Sequence, residues 1–496
     1  MWTRAVSRAL FRSLATTTSK SQLKLQDVVI IGGGPAGLSL LAALKKSTYT
    51  KHLKCTLVDA ADVEKSRSFA VNPPENYSNR VISLTPLSKE FMQENIGNWF
   101  FLNQDRIKDY NRIVCYDSND RSNSITFNSE EYGTGQLATM CELANIQSSL
   151  LGKIDDLNAN LDEPEVEQTA DIIDKVTVLD ILLPNKGAGE VSLDKGLERR
   201  DLDIDWPIVV LSNGDKIQTR LLVGADGFKS VVRDFSGIPS RGWSYNRFGV
   251  VANIELQYED TPSTAWQRFL TTGPLAILPL TENQATIVWS TTPELSELLL
   301  RVNETIFPSL VTAAMVLDEI NLNYIYQMLR KNPDDMTVLD EISWCLSRLS
   351  EIDIEENYPV QSTKLFPESR ARFPLKMAHA DTYNVPRVAL IGDAAHSIHP
   401  LAGQGLNMGQ SDVVTLLSVL ETSCMRGLDI GSTLVLDYYT VKAWPSNNAL
   451  IGVCDKLHKI FSTDWYPLVF ARGLGMKSID FLDSVKKLMI KTVSGK

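Results

Sequence analysis

The run Gly32-Gly33-Gly34-Pro35-Ala36-Gly37 stands where one apolar stretch, Asp27 to Ile31, gives way to another, Leu38 to Leu44. Glycines in a GxGxxG spacing between a strand and a helix suit one chemistry, the binding of a dinucleotide pyrophosphate. The first, Gly32, permits the tight turn, and the second, Gly34, lets bare backbone approach the phosphates. The third, Gly37, lets helix and strand pack closely, with the helix N-terminus facing the negative charge. Asp59 ends the next apolar run, Leu53 to Asp59, 22 residues after Gly37. That is the separation at which an acid meets a ribose hydroxyl. The motif alone does not separate NAD from FAD.

Two later segments repeat the pattern of a buried strand that ends in a small acidic turn. Arg220-Leu-Leu-Val-Gly-Ala-Asp226-Gly227 leads into a short helix through Ser230 and Arg233. For the Asp-Gly pair by itself, a plain turn is the simpler reading. Arg387-Val-Ala-Leu-Ile-Gly392-Asp393 is followed by Pro400, Gly403, Gly405, Asn407 and Gly409, and then by a long helical stretch. A loop so poor in side chains brings backbone close to something flat or phosphorylated. His396 and His399 lie in it and have the chemistry of a general base. The simpler readings are a hydrogen-bonded structural residue for His396 and a loop residue for His399.

The elements that must position these groups follow from texture. Asp27 to Asp59 reads as a βαβ opening, hence a parallel sheet. Ile208 to Asp215 reads as a strand running into an Asn-Gly hairpin. Trp243 to Ser290 changes character, with strand-like segments rich in aromatics and prolines, and reads as an antiparallel sheet inserted into the first domain. Pro293 to about Ser350 is helical in spacing, with Pro293 suited to a first turn. The region after Asp393 is largely helical. Lys153 to Asp205 is acidic and reads as a mostly exposed elaboration between strands. At 496 residues the chain exceeds one ordinary core and implies two domains or more.

A net charge of -11 argues against a nucleic-acid binder. The six cysteines have no paired or metal-ligand spacing, so reduced thiols and no metal are expected. Residues up to Gln26 are another matter. They carry Arg4, Arg8, Arg12, Lys20 and Lys24 and no acid, with Trp2, Val6, Leu10 and Leu14 at four-residue intervals. That is the pattern of an amphipathic mitochondrial transit peptide. No apolar run is long enough to span a bilayer.

The three fingerprints, in this order and at these separations, resemble those of the single-component flavoprotein hydroxylases typified by para-hydroxybenzoate hydroxylase. Asn79-Arg80-Val-Ile-Ser-Leu-Thr85, Asn145-Ile-Gln147, Ala265-Trp-Gln-Arg-Phe269 and Gly273 to Pro279 narrow the resemblance to the ubiquinone-biosynthesis branch. It covers nearly everything from Asp27 onward. The acidic stretch is unusually long for that branch, and Lys442 or Ala443 stands where many relatives have arginine.

The resemblance implies an α/β fold: a Rossmann-like FAD-binding domain (27–242 and 376–496), an inserted antiparallel-sheet and helical substrate domain (243–375), and C-terminal helices. It implies FAD held by Gly32, Gly34, Gly37 and Asp59, with Arg80 near the flavin, Gln147 near the phosphates, and Asp226 bordering the cofactor. Asp393 would meet the ribityl chain, and Pro400, Gly403, Gly405 and Asn407 would lie at the flavin edge. No catalytic acid or base is singled out. The implied reaction adds O2 at flavin C4a and delivers oxygen to the ring, at C5, of a polyprenylated 4-hydroxybenzoate-type lipid. The implied partners are a ferredoxin with its reductase and a ubiquinone-biosynthesis complex, peripheral to the inner membrane on the matrix side. The alternatives are a related FAD hydroxylase or epoxidase, and a non-catalytic scaffold subunit.

Overall fold

Val28, Val29 and Ile30 have no exposed surface, because the strand Leu23–Ile31 runs through the middle of a sheet buried on both faces. The computed structural model describes residues 23–132, 135–159, 170–184, 205–260, 263–398, 403–463, 465–482, 485–487 and 489–490. Most of the leader therefore lies outside the described residues.

Leu23–Ile31 pairs in parallel with Cys55–Val58 on one side and Lys216–Gly224 on the other, and Val388–Leu390 pairs in parallel with the latter. All three chemistry-bearing turns thus leave neighbouring strands at the same edge of one eight-stranded sheet, which is why distant motifs converge. The helix Pro35–Lys46 covers this sheet with Leu38, Leu40, Leu41 and Leu44, and packs between Leu143–Ala159 and Gln404–Met425. The Asn-Gly turn forms as expected, with Gly214 at φ +91° joining the antiparallel pair Ile208–Leu211 and Lys216–Gly224.

The acidic stretch differs from its reading as exposed elaboration. Ala170–Ile173 extends the parallel sheet beside Cys55–Val58, and Val178–Leu182 pairs with Ile208–Leu211. Asp171 lies on that outer strand and ion-pairs with Lys24 at 2.5 Å, so its charge marks an edge, not a loop. The remainder of the stretch, 160–169 and 185–204, lies outside the described residues.

A second, nine-stranded sheet is built on the long strand Ser240–Leu256, which pairs with Gln284–Thr291 and Ala371–Ala380. It also recruits Arg112–Asp117, parallel to Thr264–Leu270, and Ser124–Asn128 from far upstream. One face, with Val250, Ile287 and Trp289, packs on five helices between Pro293 and Asn357. Thr292 caps the first of these and Pro293 takes its first position. The other face presents Phe269 and Met377 to Ile398, Met408 and Phe461. A small antiparallel sheet of Val81–Leu84, Ala138–Glu142 and Ile107–Tyr110 adjoins the first. Among the described residues no helix is long and apolar enough to cross a membrane.

Candidate cofactor site

The glycines of the first motif have different reasons to be glycine. Gly32 sits at φ +114°, and a Cβ there would lie 2.3 Å from the Ala225 carbonyl oxygen. A Cβ on Gly37 would lie 2.0 Å from the Gly32 carbonyl oxygen. Both are excluded by backbone. Gly34 is the opposite case: a Cβ there meets nothing within 4 Å. That open space lies at the N-terminus of Pro35–Lys46, which has no side-chain cap and no acid in its first turn. Its free N–H groups and dipole suit an anion.

The loop is held from two sides. The Gln147 amide donates to the Gly33 carbonyl at 3.2 Å, and the Gly33 N–H donates to Asp59. Asp59 also accepts from the Ala61 N–H at 2.5 Å. It is half-buried, and a carboxylate has lone pairs for more than these two bonds.

Asp226 is turned inward. It accepts from the Ser230 hydroxyl at 2.6 Å and from the N–H groups of Val231 and Val232 at 2.6 and 3.1 Å. Burial pushes its carboxyl pKa up against those bonds. It thereby fixes the short helix Val231–Ser236, whose Arg233 donates to the carbonyls of Ala394 at 3.0 Å and Phe228 at 2.9 Å. Arg233 therefore ties the second motif to the third. Sequence reading quoted this residue without a role, since its partner is 161 positions away.

In the third motif, Gly392 adopts φ +59° and lies against Ala36 and Gly409. The N-terminal turn of Gln404–Met425 is thus brought beside that of Pro35–Lys46. It too has no side-chain cap and no acid in its first turn, with Gly403 at φ +62° before it. Gly405 has only Ile398 near the position of a Cβ, at 4.0 Å. Asn407 is buried and clamps the loop: it accepts from the Thr85 N–H at 3.0 Å and donates to the carbonyls of Ser83 at 2.8 Å and Gly403 at 3.2 Å. The Asp393 side chain is exposed to solvent at the base of the third motif, with protein packed around it. Burial raises its pKa, and it has no hydrogen-bond donor among the described residues. Pro400 and His399 lie outside the described residues.

His396 is buried, with Nε2 2.6 Å from Asp412 Oδ2. Burial works against its charge, but the Asp412 carboxylate outweighs this and raises the imidazole pKa. Asp412 also accepts from the Gly392 N–H at 2.9 Å and the Asn447 amide at 2.8 Å. This hub was missed in the sequence, where the available signal was an acid in the apolar stretch after Gly409. Arg80 stands apart with an exposed side chain, joined to the site through its carbonyl, which accepts from the Leu143 N–H at 2.9 Å. Among the described residues no cluster of His, Cys, Asp or Glu forms a metal site.

Two uncapped helix N-termini, an open space at Gly34 and an unbonded carboxylate at Asp393 fit a group with two phosphates and polyol hydroxyls. The residues present therefore fit FAD.

Comparison with known proteins agrees. Residues 207–450 match the family described as FAD binding domain. The ubiquinone biosynthesis monooxygenase COQ6 of Saccharomyces cerevisiae is 42% identical over 495 residues, 98% of this chain and 97% of that protein. Its counterpart in Schizosaccharomyces pombe is 36% identical, covering 94% and 91%, and that of Homo sapiens is 30% identical, covering 94% and 92%. Solved structures show the same fold. PqsL of P. aeruginosa in complex with 2-aminobenzoylacetate matches with TM-score 0.60 at 18% identity, over 92% of this chain and 100% of that one. The p-nitrophenol 4-monooxygenase PnpA of Pseudomonas putida matches with TM-score 0.61 at 13% identity, over 95% and 99%. The chain belongs to the COQ6 family of ubiquinone-biosynthesis monooxygenases, FAD-dependent enzymes built on the para-hydroxybenzoate hydroxylase plan.

Proposed function

We propose that this chain hydroxylates the aromatic ring, at C5, of a polyprenylated 4-hydroxybenzoate-type precursor of ubiquinone. The carrying observation is the convergence of two uncapped helix N-termini, at Pro35 and Gln404, across the contact of Ala36, Gly392 and Gly409. The first N-terminus and Gly34 bind the pyrophosphate, with Gln147 and Asp59 holding the loop that presents it. Asp393 accepts from the ribityl hydroxyls. Asp226 acts as a positioning residue through the Val231–Ser236 helix and Arg233. Gly403 and Gly405, in the stretch that runs from Pro400 to Asn407, present backbone N–H groups at the flavin edge, where a helix dipole favours negative charge. Arg80 approaches the flavin from the rim.

Bound FAD supplies the activation of O2. The chain's own part is to orient the phenolic ring and exclude water. Phe269 and Phe461 stack at 3.9 Å, and with Ile398 and Met408 they form an apolar cluster on the sheet face nearest the loop. That cluster suits an aromatic ring with a prenyl tail. The leader directs the chain to mitochondria, where it works peripherally on the matrix side, within a ubiquinone-biosynthesis complex. A ferredoxin with its reductase supplies electrons. Mass spectrometry of the intermediate that accumulates in cells lacking this chain tests the reading. A prenylated ring lacking the C5 hydroxyl supports it, and a C5-hydroxylated intermediate overturns it.

A further inference from the structure

A cavity of about 500 Å³ lies on the helix-covered face of the nine-stranded sheet, away from the cofactor site. Strand alternation sets the separation. Along Thr264–Leu270, Trp266 and Leu270 join the helical core, and Arg268 between them shares that face. Phe269 joins Ile398 and Met408 on the opposite one.

The cavity is lined by Arg121, Arg268 and Arg348. Arg268 is only 3% exposed, and its two terminal nitrogens donate to the carbonyls of Ala314 at 3.1 Å and Ser118 at 3.3 Å. Its Nε and the Ser118 hydroxyl are buried with no hydrogen-bond partner among the described residues. The Arg121 guanidinium lies 4.4 Å from the Tyr116 ring and 5.4 Å from the Tyr358 ring, and donates to the Asn357 carbonyl from Nε at 3.0 Å and also from Nη2, which leaves Nη1 free among the described residues. The two acids at the wall are occupied elsewhere. Asp117 takes a two-pronged ion pair from Arg472, at 2.6 and 3.0 Å. Asp318 caps the helix Glu319–Lys331 by accepting from the Asn321 N–H at 2.8 Å.

A guanidinium taken out of water without a carboxylate partner is costly, and an anion in the cavity removes that cost. We propose that this cavity binds an anionic small molecule whose phosphate or carboxylate group is held by Arg268 and Arg121, with the Ser118 hydroxyl donating to it. The N–H groups that the two guanidiniums keep free, Nη1 of Arg121 above all, suit either anion, and the volume is that of a metabolite-sized ligand.

The test uses the FAD-loaded enzyme, so that the pyrophosphate site of the cofactor is filled. Inorganic pyrophosphate and benzoate are titrated separately by calorimetry. The proposal expects saturable binding of at least one probe, and the probe that binds identifies the anion class. Arg121→Gln and Ser118→Ala weaken that binding about tenfold or more, with the flavin spectrum unchanged. Binding with a shifted flavin spectrum that Arg121→Gln leaves intact places the probe in the ring site and overturns the proposal. Failure of both probes to bind the wild-type enzyme also overturns it. Should Arg121→Gln lose its folded circular dichroism, Ser118→Ala alone decides.

Discussion

His396 and Gly392 share one carboxylate: Asp412 Oδ2 lies 2.6 Å from His396 Nε2 and 2.9 Å from the Gly392 nitrogen. The loop that precedes Asp393 is therefore anchored from inside the protein by a charge on Gln404–Met425, the helix whose N-terminus the flavin edge would face. Asp412→Asn keeps the shape but removes the charge, leaving His396 buried without its counter-ion. We expect destabilisation of about 3 kcal/mol, as for breaking a buried pair, and a lowered His396 pKa. Urea unfolding and imidazole NMR titration check both. An unchanged His396 pKa contradicts the assignment.

Gly34→Val separates cofactor binding from folding. The new Cβ enters empty space, so the apoprotein loses only about 1 kcal/mol, the cost of exchanging a glycine N-cap. It then occupies the place of the pyrophosphate, and the purified protein loses its FAD. Gly37→Ala is the control. Its Cβ would lie 2.0 Å from backbone, so it destabilises the apoprotein itself. Flavin absorbance and thermal melts of the two variants distinguish these effects.

Asp393→Ala removes a carboxylate that nothing in the described protein bonds. Loss of a charged hydrogen bond to a polyol hydroxyl costs about 1.5–3 kcal/mol, roughly ten- to hundredfold in FAD affinity. The apoprotein is not destabilised. Fluorescence titration of apoprotein with FAD checks the first statement, and its melting temperature the second. Unchanged FAD affinity sinks the role given to Asp393.

The site was legible where local sequence dictates geometry. Gly32 and Gly37 declare a turn and a close packing within six residues, and Asn-Gly at 213–214 declares a hairpin. It was not legible where partners come from afar. Asp412 meets His396 from a separate helix, and Arg233 reaches a carbonyl 161 residues away. Arg112–Asp117 joins the large sheet beside Thr264–Leu270, a pairing that no local alternation announces. The acidic stretch misled for a related reason. Asp171 and Asp180 lie on strands at the side of the first sheet, where a strand tolerates charge.

His379 makes one contribution to acid sensitivity. Burial first, and His396 next, lower its pKa to about 4, and its Nε2 lies 2.8 Å from the Tyr383 hydroxyl. Trp444 stacks on its ring at 5.0 Å, and Asp412 provides the opposing attraction. A depressed histidine stabilises the fold fully above its unfolded pKa, near 6.5, and that contribution fades as pH falls towards 4. Between those limits the wild type loses on the order of 1 kcal/mol per pH unit through this group. His379→Gln flattens that limb of the urea-unfolding profile. A profile as steep as the wild type removes His379 as the cause.

The proposed ferredoxin makes reduction a salt-sensitive encounter. With the flavin bleached anaerobically, a ferredoxin system acts fast at low ionic strength and slows as salt is added, while NADPH alone is slow. Rapid bleaching by NADPH returns the chain to the nicotinamide-dependent hydroxylases.

The most direct measurement is turnover of the reduced, FAD-loaded enzyme with a polyprenylated 4-hydroxybenzoate under isotopically heavy O2, read by mass spectrometry. One heavy oxygen atom at ring C5 is the predicted result. Flavin reoxidation that yields only hydrogen peroxide, or a hydroxyl whose oxygen comes from water, contradicts it.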